Sequence, residues 1–316
     1  MNIKHYERDE WLAIRRTHIS STESPALFGM SPYMTAYELA VAKQAAEEVG
    51  FEDNERMLWG RRLQDAIAQG IADDYRVMIE SLEYAYVVHP DEPRMGSSFD
   101  YRIIGVPENT RPTALGELWE RHGPGLLEIK NVDSLQYKGW PEHDAPDHIE
   151  IQVQHQMEVA RCEWCVLGVL VGGNRTEVYT RMRDGAVGGA IVKKVHEFWH
   201  NLEAGVLPPP VLPEDADLII KLHQYAEPSK VYDGQQDIML RELCSEYADA
   251  TEALKEISDA QKSVKAKILT HIGDAERALV DGFSVAASMV APAEVKAYTR
   301  NGYRNFRLTR KQEKAT

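Results

Sequence analysis

Gly125-Leu126-Leu127-Glu128-Ile129-Lys130-Asn131-Val132 is the stretch on which the fold turns. Its apolar and β-branched residues read as a strand. In an extended chain residues i and i+2 share a face. Glu128 and Lys130 therefore project together, and Ile129 turns into the opposite core layer. A second strand-like run at 98–105 carries Asp100, which can approach Glu128 from the neighbouring strand. Two carboxylates suit a hard divalent cation such as Mg²⁺, which prefers oxygen ligands and keeps several waters. A lysine beside them can orient an attacking water or help to deprotonate it. The cation polarises a phosphodiester and steadies the leaving oxygen. This spacing is common in half-buried strands, so the rest of the chain must decide whether it carries chemistry.

Working outward, the pattern is helix, strands, helix, strand. Turn-forming Gly29, Ser31 and Pro32 precede a predicted helix at 36–48. A second helix is predicted over 55–75, where Met57, Leu58, Leu63, Ile67 and Ile71 recur at helical spacing. Further strands are predicted at 84–88, 165–171 and 176–181, with a helix at 149–161 between the Glu128 strand and the last two. That order is α/β around a mixed sheet. The proline-rich run at 206–213 stops both helix and central strand and marks a boundary, giving domains 1–212 and 213–316. Beyond it, 237–272 reads as a long charged helix, followed by strand-like segments at 283–289 and 303–308. The terminus is basic, with Arg300, Arg304, Arg307, Arg310, Lys311 and Lys314 against Glu313. It is either a solvated tail or a contact to a DNA backbone.

Composition narrows the class. The 316 residues are 43% hydrophobic and 27% charged, enough for a core and too apolar for a disordered chain. No run approaches the roughly 18 apolar residues of a membrane span, and the N-terminal residues lack a secretory apolar segment. Cys162, Cys165 and Cys244 make no disulfide framework, so a reducing cytoplasm is the expected setting. Cys162 and Cys165 have the spacing of half a zinc site without a second close pair, and they read as buried free thiols. Three cysteines are too few for an iron–sulfur cluster. No Gly-rich P-loop is present, so an intrinsic ATP motor is not expected. The net charge of −14 argues at first against nucleic acid, which needs Lys and Arg at its phosphates. Binding depends on where charges sit, however, and a metal-dependent nuclease also needs carboxylates.

Five motifs then appear in order. Arg15-Arg16-Thr17-His18-Ile19-Ser20-Ser21-Thr22-Glu23 is followed by Gly29-Met30-Ser31-Pro32-Tyr33. Trp59-Gly60-Arg61-Arg62-Leu63-Gln64 lies on the second predicted helix. Ser97-Ser98-Phe99-Asp100 and Leu127-Glu128-Ile129-Lys130 come next, and Gln152-Val153-Gln154 lies on the helix at 149–161. A closing Phe198-Trp199 with Pro208–Pro210 also fits. Together, across about residues 11–210, these resemble the lambda-exonuclease and YqaJ-like viral recombinase family of the PD-(D/E)XK nuclease superfamily. The resemblance implies a restriction-endonuclease-like core, a central mixed β-sheet flanked by helices, with a helical and short-strand C-terminal extension.

It further implies a Mg²⁺-dependent 5′-to-3′ exonuclease on linear double-stranded DNA, releasing 5′-mononucleotides and leaving 3′ overhangs for single-strand-annealing recombination. Two ions per site are expected, with Mn²⁺ able to substitute. Asp100, Glu128 and the main-chain carbonyl of Ile129 would be metal ligands, Lys130 would act on the water, and Gln154 would support the site. Arg15 would bind the terminal 5′-phosphate, aided by Thr22 and Ser98; a guanidinium fork suits a phosphate and stays charged. Gln64 stands where the family places a glutamate and contributes no charge. Adjacent Asp65 is turned about 100° away along the helix and would not replace it. The family also implies a homotrimeric ring, a single-strand annealing partner, no membrane, and a phage or prophage origin in a bacterial cytoplasm. Two other readings stay open: an endonuclease of the same superfamily, and a non-catalytic DNA-end-binding scaffold. If 149–161 is helical, Gln152 and Gln154 point to different faces, so at most one reaches the site. Trp59 and Trp199 read as core residues, His18 as a local hydrogen-bonding residue, and His155 as the same or as a phosphate contact.

Overall fold

The computed structural model describes residues 3–45, 54–108, 113–141 and 144–291, together with residues 304 and 308. In chain order the first elements are β1 (Lys4–His5), α1 (Arg8–Arg16), a 3-10 turn at Ser24–Phe28, α2 (Ala36–Gln44), α3 (Glu55–Tyr75), β2 (Met78–Ser81), β3 (Ala85–Val88), β4 (Gly96–Ser97) and β5 (Tyr101–Gly105). Then come α4 (Ala114–His122), β6 (Gly125–Val132), α5 (Ser134–Tyr137), α6 (Asp147–Ala160), β7 (Trp164–Val171), β8 (Arg175–Met182) and α7 (Gly185–Glu203). The last are α8 (Ala216–Leu222), α9 (Ile238–Ile272), β9 (Arg277–Val280) and β10 (Phe283–Ala286). The chain divides into two compact units, 1–218 and 219–316.

The first unit is built on a five-stranded sheet in the order β2-β5-β6-β7-β8. Only β6 and β7 run parallel; the other neighbours are antiparallel, so the sheet is mixed, as expected. Alternation sorts the β6 side chains. Leu127 and Ile129 pack with Ile67, Ala68, Ile71 and Ala72 of α3 on one face. Leu126 on the other face packs with Val153 and Met157 of α6 and Ile191 and Val195 of α7. Glu128, sharing the parity of Leu126, is thereby aimed at α6. Helix α3 lies tight against the sheet because Gly168 of β7 has no side chain: a Cβ there would stand 2.3 Å from the Ile71 methyl.

Local chemistry sets the helix starts. Thr35 and Glu38 close a capping box at α2, and the Asn54 side chain accepts from Met57 N–H at α3. The Asp184 side chain caps α7 on Ala186 and Val187. The sequence pattern assigned no element at 185–203, where α7 stands. Its first turns carry three glycines, which weaken the helical signal; Gly188 is one that packing requires, since a Cβ would meet the Glu158 carboxylate at 2.4 Å. Strand β2 and helix α4 also went unassigned.

The strand expected at 98–105 begins only at Tyr101, and a separate short strand precedes it. Gly96–Ser97 pairs with β3 in a small sheet of order β1-β3-β4, and Tyr101–Gly105 pairs with β2 and β6 in the central one. The chain bends at Asp100. There the Asp100 carboxylate accepts the Ile129 N–H at 2.8 Å, standing where a continued β5 would have paired with β6. Tyr84, expected in a strand, has φ 55° and precedes β3 instead. The expected helix at 36–48 ends at Gln44, and residues 46–50 lie outside the described residues. Trp199 is buried, but Trp59 is 50% exposed, with the Arg62 guanidinium 5.1 Å from its ring. Burial on α3 begins only at Ile67, two turns further on.

The division of the chain falls after Leu218, later than the proline run. Asp215 is the reason: fully buried, it accepts from the Thr35 hydroxyl at 2.7 Å and from Val211 N–H at 2.6 Å, which ties the segment after the prolines to the first unit. The second unit holds the 35-residue helix α9, capped by Asp237, and the β9–β10 hairpin. Most of the basic terminus and of the strand expected at 303–308 lies outside the described residues. Arg304 donates to the His223 carbonyl at 3.0 Å. No helix among the described residues is long and apolar enough to cross a membrane.

Candidate active site

Asp100, Glu128 and Lys130 meet where β5 ends and β6 continues without it. Glu128 is 5% exposed and yet ionisable, so its oxygens need donors. Lys130 Nζ donates to Oε1 at 2.5 Å, Gln152 Nε2 donates to Oε1 at 2.6 Å, and Gln156 Nε2 donates to Oε2 at 2.7 Å. Asp100 accepts from Ile129 N–H and from the Gln64 side chain. The N–H and C=O of one residue leave a strand on the same side. The Ile129 carbonyl therefore faces the side on which Asp100 sits.

The electrostatics follow from crowding. Burial and then the nearby Glu128 charge push Asp100 up to about 7, against the opposing pull of Lys130, the Ile129 N–H and Gln64. Burial disfavours the Lys130 charge, but the Glu128 and Asp100 carboxylates outweigh it and raise the ammonium above its ordinary value. His148, at the start of α6, is lowered by burial and then by the Lys130 charge; its ring stands edge-on to Tyr33 at 5.8 Å. Behind the site the buried Cys165 thiol is pushed well up, first by burial and then by Glu128. Cys162 is half-buried, and both thiols are free.

The donor set fits a hard cation. It offers two carboxylates and a main-chain carbonyl, and burial beside Glu128 disfavours the Asp100 charge, which a bound cation would relieve. No group of three or more His, Cys, Asp or Glu suited to a metal is found among the described residues. Mg²⁺ tolerates so sparse a protein shell because it retains waters; a structural zinc does not.

Gln154 is not part of this cluster. Its Nε2 donates to Glu150 Oε1 and to the Met182 carbonyl, both at 3.1 Å, and its Oε1 accepts Asp184 N–H at 2.9 Å. It joins α6 to the end of β8 and the start of α7. The reason is helical phase: residues four apart share a face, so Gln152 and Gln156 reach Glu128 together and Gln154 looks elsewhere. The signal that could have found Gln156 was that i,i+4 pairing of amides. Gln64 does reach Asp100, while Asp65 bonds the Tyr101 hydroxyl.

Of the residues expected at the 5′-phosphate, Arg15 stands in the last turn of α1, Thr22 in the loop after it, and Ser98 between β4 and β5. Ile19 bridges Met95, and the Ser97 hydroxyl donates to Ser21 Oγ at 3.0 Å, so the loop after α1 lies against the chain entering Ser98. Thr22 is exposed, with its hydroxyl 3.2 Å from Ser20 Oγ. The Ser98 carbonyl accepts from the Ser97 hydroxyl at 2.8 Å. The Arg15 guanidinium lies over the Trp11 ring at 4.3 Å. Lys43 of α2 anchors the whole turn: its buried ammonium donates to the Arg15 and His18 carbonyls and to both Glu23 oxygens. Glu23 accepts in addition from Ser20 N–H and hydroxyl. His18 bonds the Ile14 carbonyl at 2.7 Å. His155 is fully buried on the Gly96 carbonyl at 3.1 Å, which leaves it no access to a phosphate.

Comparison with known proteins adds the following. Residues 10–163 match the YqaJ-like viral recombinase domain. The chain is 23% identical over 278 residues to the uncharacterized protein YqaJ of Bacillus subtilis (strain 168), covering 87% of this chain and 82% of that one. Among solved structures it is similar to the alkaline exonuclease LHK-Exo of Laribacter hongkongensis, with TM-score 0.46 and 19% identity over 68% of this chain and 98% of the other. It is also similar to a phage related exonuclease of Haemophilus somnus 129PT, with TM-score 0.38 and 11% identity over 60% and 96% of the two chains.

Proposed function

We propose, from the match of residues 10–163 to the YqaJ-like viral recombinase domain, that this chain is a Mg²⁺-dependent exonuclease. It degrades linear duplex DNA from 5′ ends, releases 5′-mononucleotides, and leaves 3′ single strands for annealing recombination. The observation that carries this reading is the convergence of Asp100, Glu128 and Lys130 at the open side of β6. A hard cation held by Asp100, Glu128 and the Ile129 carbonyl supplies, when bound, Lewis-acid polarisation of the scissile phosphate and stabilisation of the leaving oxygen.

The chain's own residues do the rest. Gln152 and Gln156 fix both oxygens of Glu128, so its carboxylate cannot rotate away from Asp100. Lys130, kept cationic by the two carboxylates, donates N–H bonds; it can hold the attacking water and offset charge gathering on the phosphate. The turn held by Lys43 and Glu23 carries Arg15 and Thr22, whose guanidinium and hydroxyl suit a terminal 5′-phosphate. An anchored end brings the first phosphodiester to the carboxylates, which favours endwise over internal cutting. A homotrimeric ring enclosing the duplex and a single-strand annealing partner belong to the same proposal. Enclosure would let an acidic exterior coexist with a locally basic channel.

The test is an end-labelled duplex assayed with and without Mg²⁺, as 5′-phosphorylated, 5′-hydroxyl and covalently closed circular forms. Mononucleotide release from the 5′-phosphorylated linear form, dependent on Mg²⁺ and abolished in Glu128→Ala and Lys130→Ala, is the expected result. Rapid cutting of the closed circle points to an endonuclease, and nucleotide release that survives in either variant removes the site assignment.

A further inference from the structure

We propose that α9 pairs with α9 of a second copy of this chain as an antiparallel two-stranded coiled coil. Along α9, steps of three and four residues in strict alternation from Leu240 to His271 trace one stripe. Leu240, Leu254 and Ile268 hold one set of heptad positions, completed by Tyr247 and Gln261. Leu243, Ile257 and Val264 hold the other, completed by Ala250 and His271. No residue of α9 is buried; Leu243, Leu254, Ile257 and Val264 are 55%, 69%, 67% and 54% exposed. Single apolar side chains on a surface are ordinary, but a continuous stripe about 47 Å long is not.

The period says what kind of surface covers it. A straight α-helix repeats every 3.6 residues, so a stripe kept at 3.5 drifts around it by roughly 90° over this length. A second helix wound in a left-handed supercoil follows that drift, and a compact globular surface does not.

Charge says which helix, and in which direction. The N-terminal half of α9 carries Glu242, Glu246, Asp249 and Glu252 against Arg241. The C-terminal half carries Lys255, Lys262, Lys265 and Lys267 against Glu256 and Asp259. A parallel pair of these helices sets acid on acid and base on base; an antiparallel pair sets each half on its opposite. The same surface then serves both copies. In the register that packs Leu254 on Ile257 of the second copy, Leu243 meets Ile268 and the small Ala250 makes room for Gln261. Positions flanking the stripe match as well: Glu246 faces Lys267 of the second copy, and Ala253 faces Ala260.

The proposal rests on α9 alone and stands apart from the nuclease reading. It is tested by mass and by cross-linking of the full chain, neither of which measures cleavage. Light scattering should show Leu254→Lys with Ile257→Lys at half the mass of the unsubstituted protein: a monomer against a dimer or, with the first unit in the trimeric ring proposed above, one ring against two. An unchanged mass refutes pairing through α9. Orientation is read with Lys265→Cys, which the antiparallel register brings beside the native Cys244 of the second copy. A parallel register leaves those two positions about 31 Å apart along the axis. A short bis-maleimide should join two chains in this variant and leave the unsubstituted protein unjoined through α9, with the bridged peptides identified by mass spectrometry. Absence of the Cys244-to-265 bridge refutes the antiparallel arrangement.

Discussion

Replacing Gln152 with Leu tests the site more sharply than removing a carboxylate, because it changes a donor and leaves both carboxyl groups in place. Glu128 is held by three donors at 2.5–2.7 Å, and Gln152 supplies one of the two on Oε1. A hydrogen bond to a charged group contributes about 1.5–3 kcal/mol. If that support is carried into the transition state, its loss lowers kcat/KM by about 10–100-fold, since 1.4 kcal/mol is tenfold. The Mg²⁺ concentration for half-maximal activity should rise over a similar range, as outer ligand supports typically cost about 10–100-fold. Gln156→Leu should behave alike. Gln154→Leu provides the contrast: it breaks bonds to Glu150, Met182 and Asp184, so it should lower the melting temperature and leave kcat/KM and the Mg²⁺ requirement unchanged. The assay is single-turnover release from an end-labelled duplex over a Mg²⁺ series, below the melting onset of every variant. Loss of activity in Gln154→Leu equal to that in Gln152→Leu would refute the assignment of the amides.

Three further outcomes are expected. Lys43→Met strands Glu23 and two carbonyls; breaking a buried pair costs about 3–5 kcal/mol, and partial exposure of Glu23 places this one near the lower end. A urea midpoint shift worth no more than about 0.5 kcal/mol, the range of an ordinary surface change, contradicts that. His155, pushed down by burial to about 3 from 6.5, stays neutral in the folded chain while the unfolded chain takes up a proton. Its contribution is thus present above about pH 6.5 and lost as pH falls toward 3, at up to about 1.4 kcal/mol per unit. His155→Gln keeps a donor for the Gly96 carbonyl and should flatten the acid limb of a melting-temperature profile; an identical limb sinks the argument. Arg15→Ala should slow digestion of 5′-phosphorylated ends far more than of 5′-hydroxyl ends, and equal slowing of both excludes a phosphate-reading role.

What could be read from the chain itself was whatever depends on periodicity and short spacing. Alternation in 125–132 placed Glu128 and Lys130 on one face and Ile129 on the other, and the strand bears this out. Helical spacing placed α3, α6 and α9 to within a few residues. The glycine-rich start of α7 hid a helix, because Gly188 answers to the Glu158 carboxylate of another element and not to local propensity. The choice among the α6 amides was likewise invisible one residue at a time. Gln152, Gln154 and Gln156 have the same chemistry, and the rotation of α6 over the sheet decides which of them meet Glu128. The bend at Asp100 exists because a side chain takes the hydrogen bond that a longer β5 would have made. Local order reports what a segment prefers; only packing between segments decides which polar atoms lose water together, and therefore which of them must bond to one another.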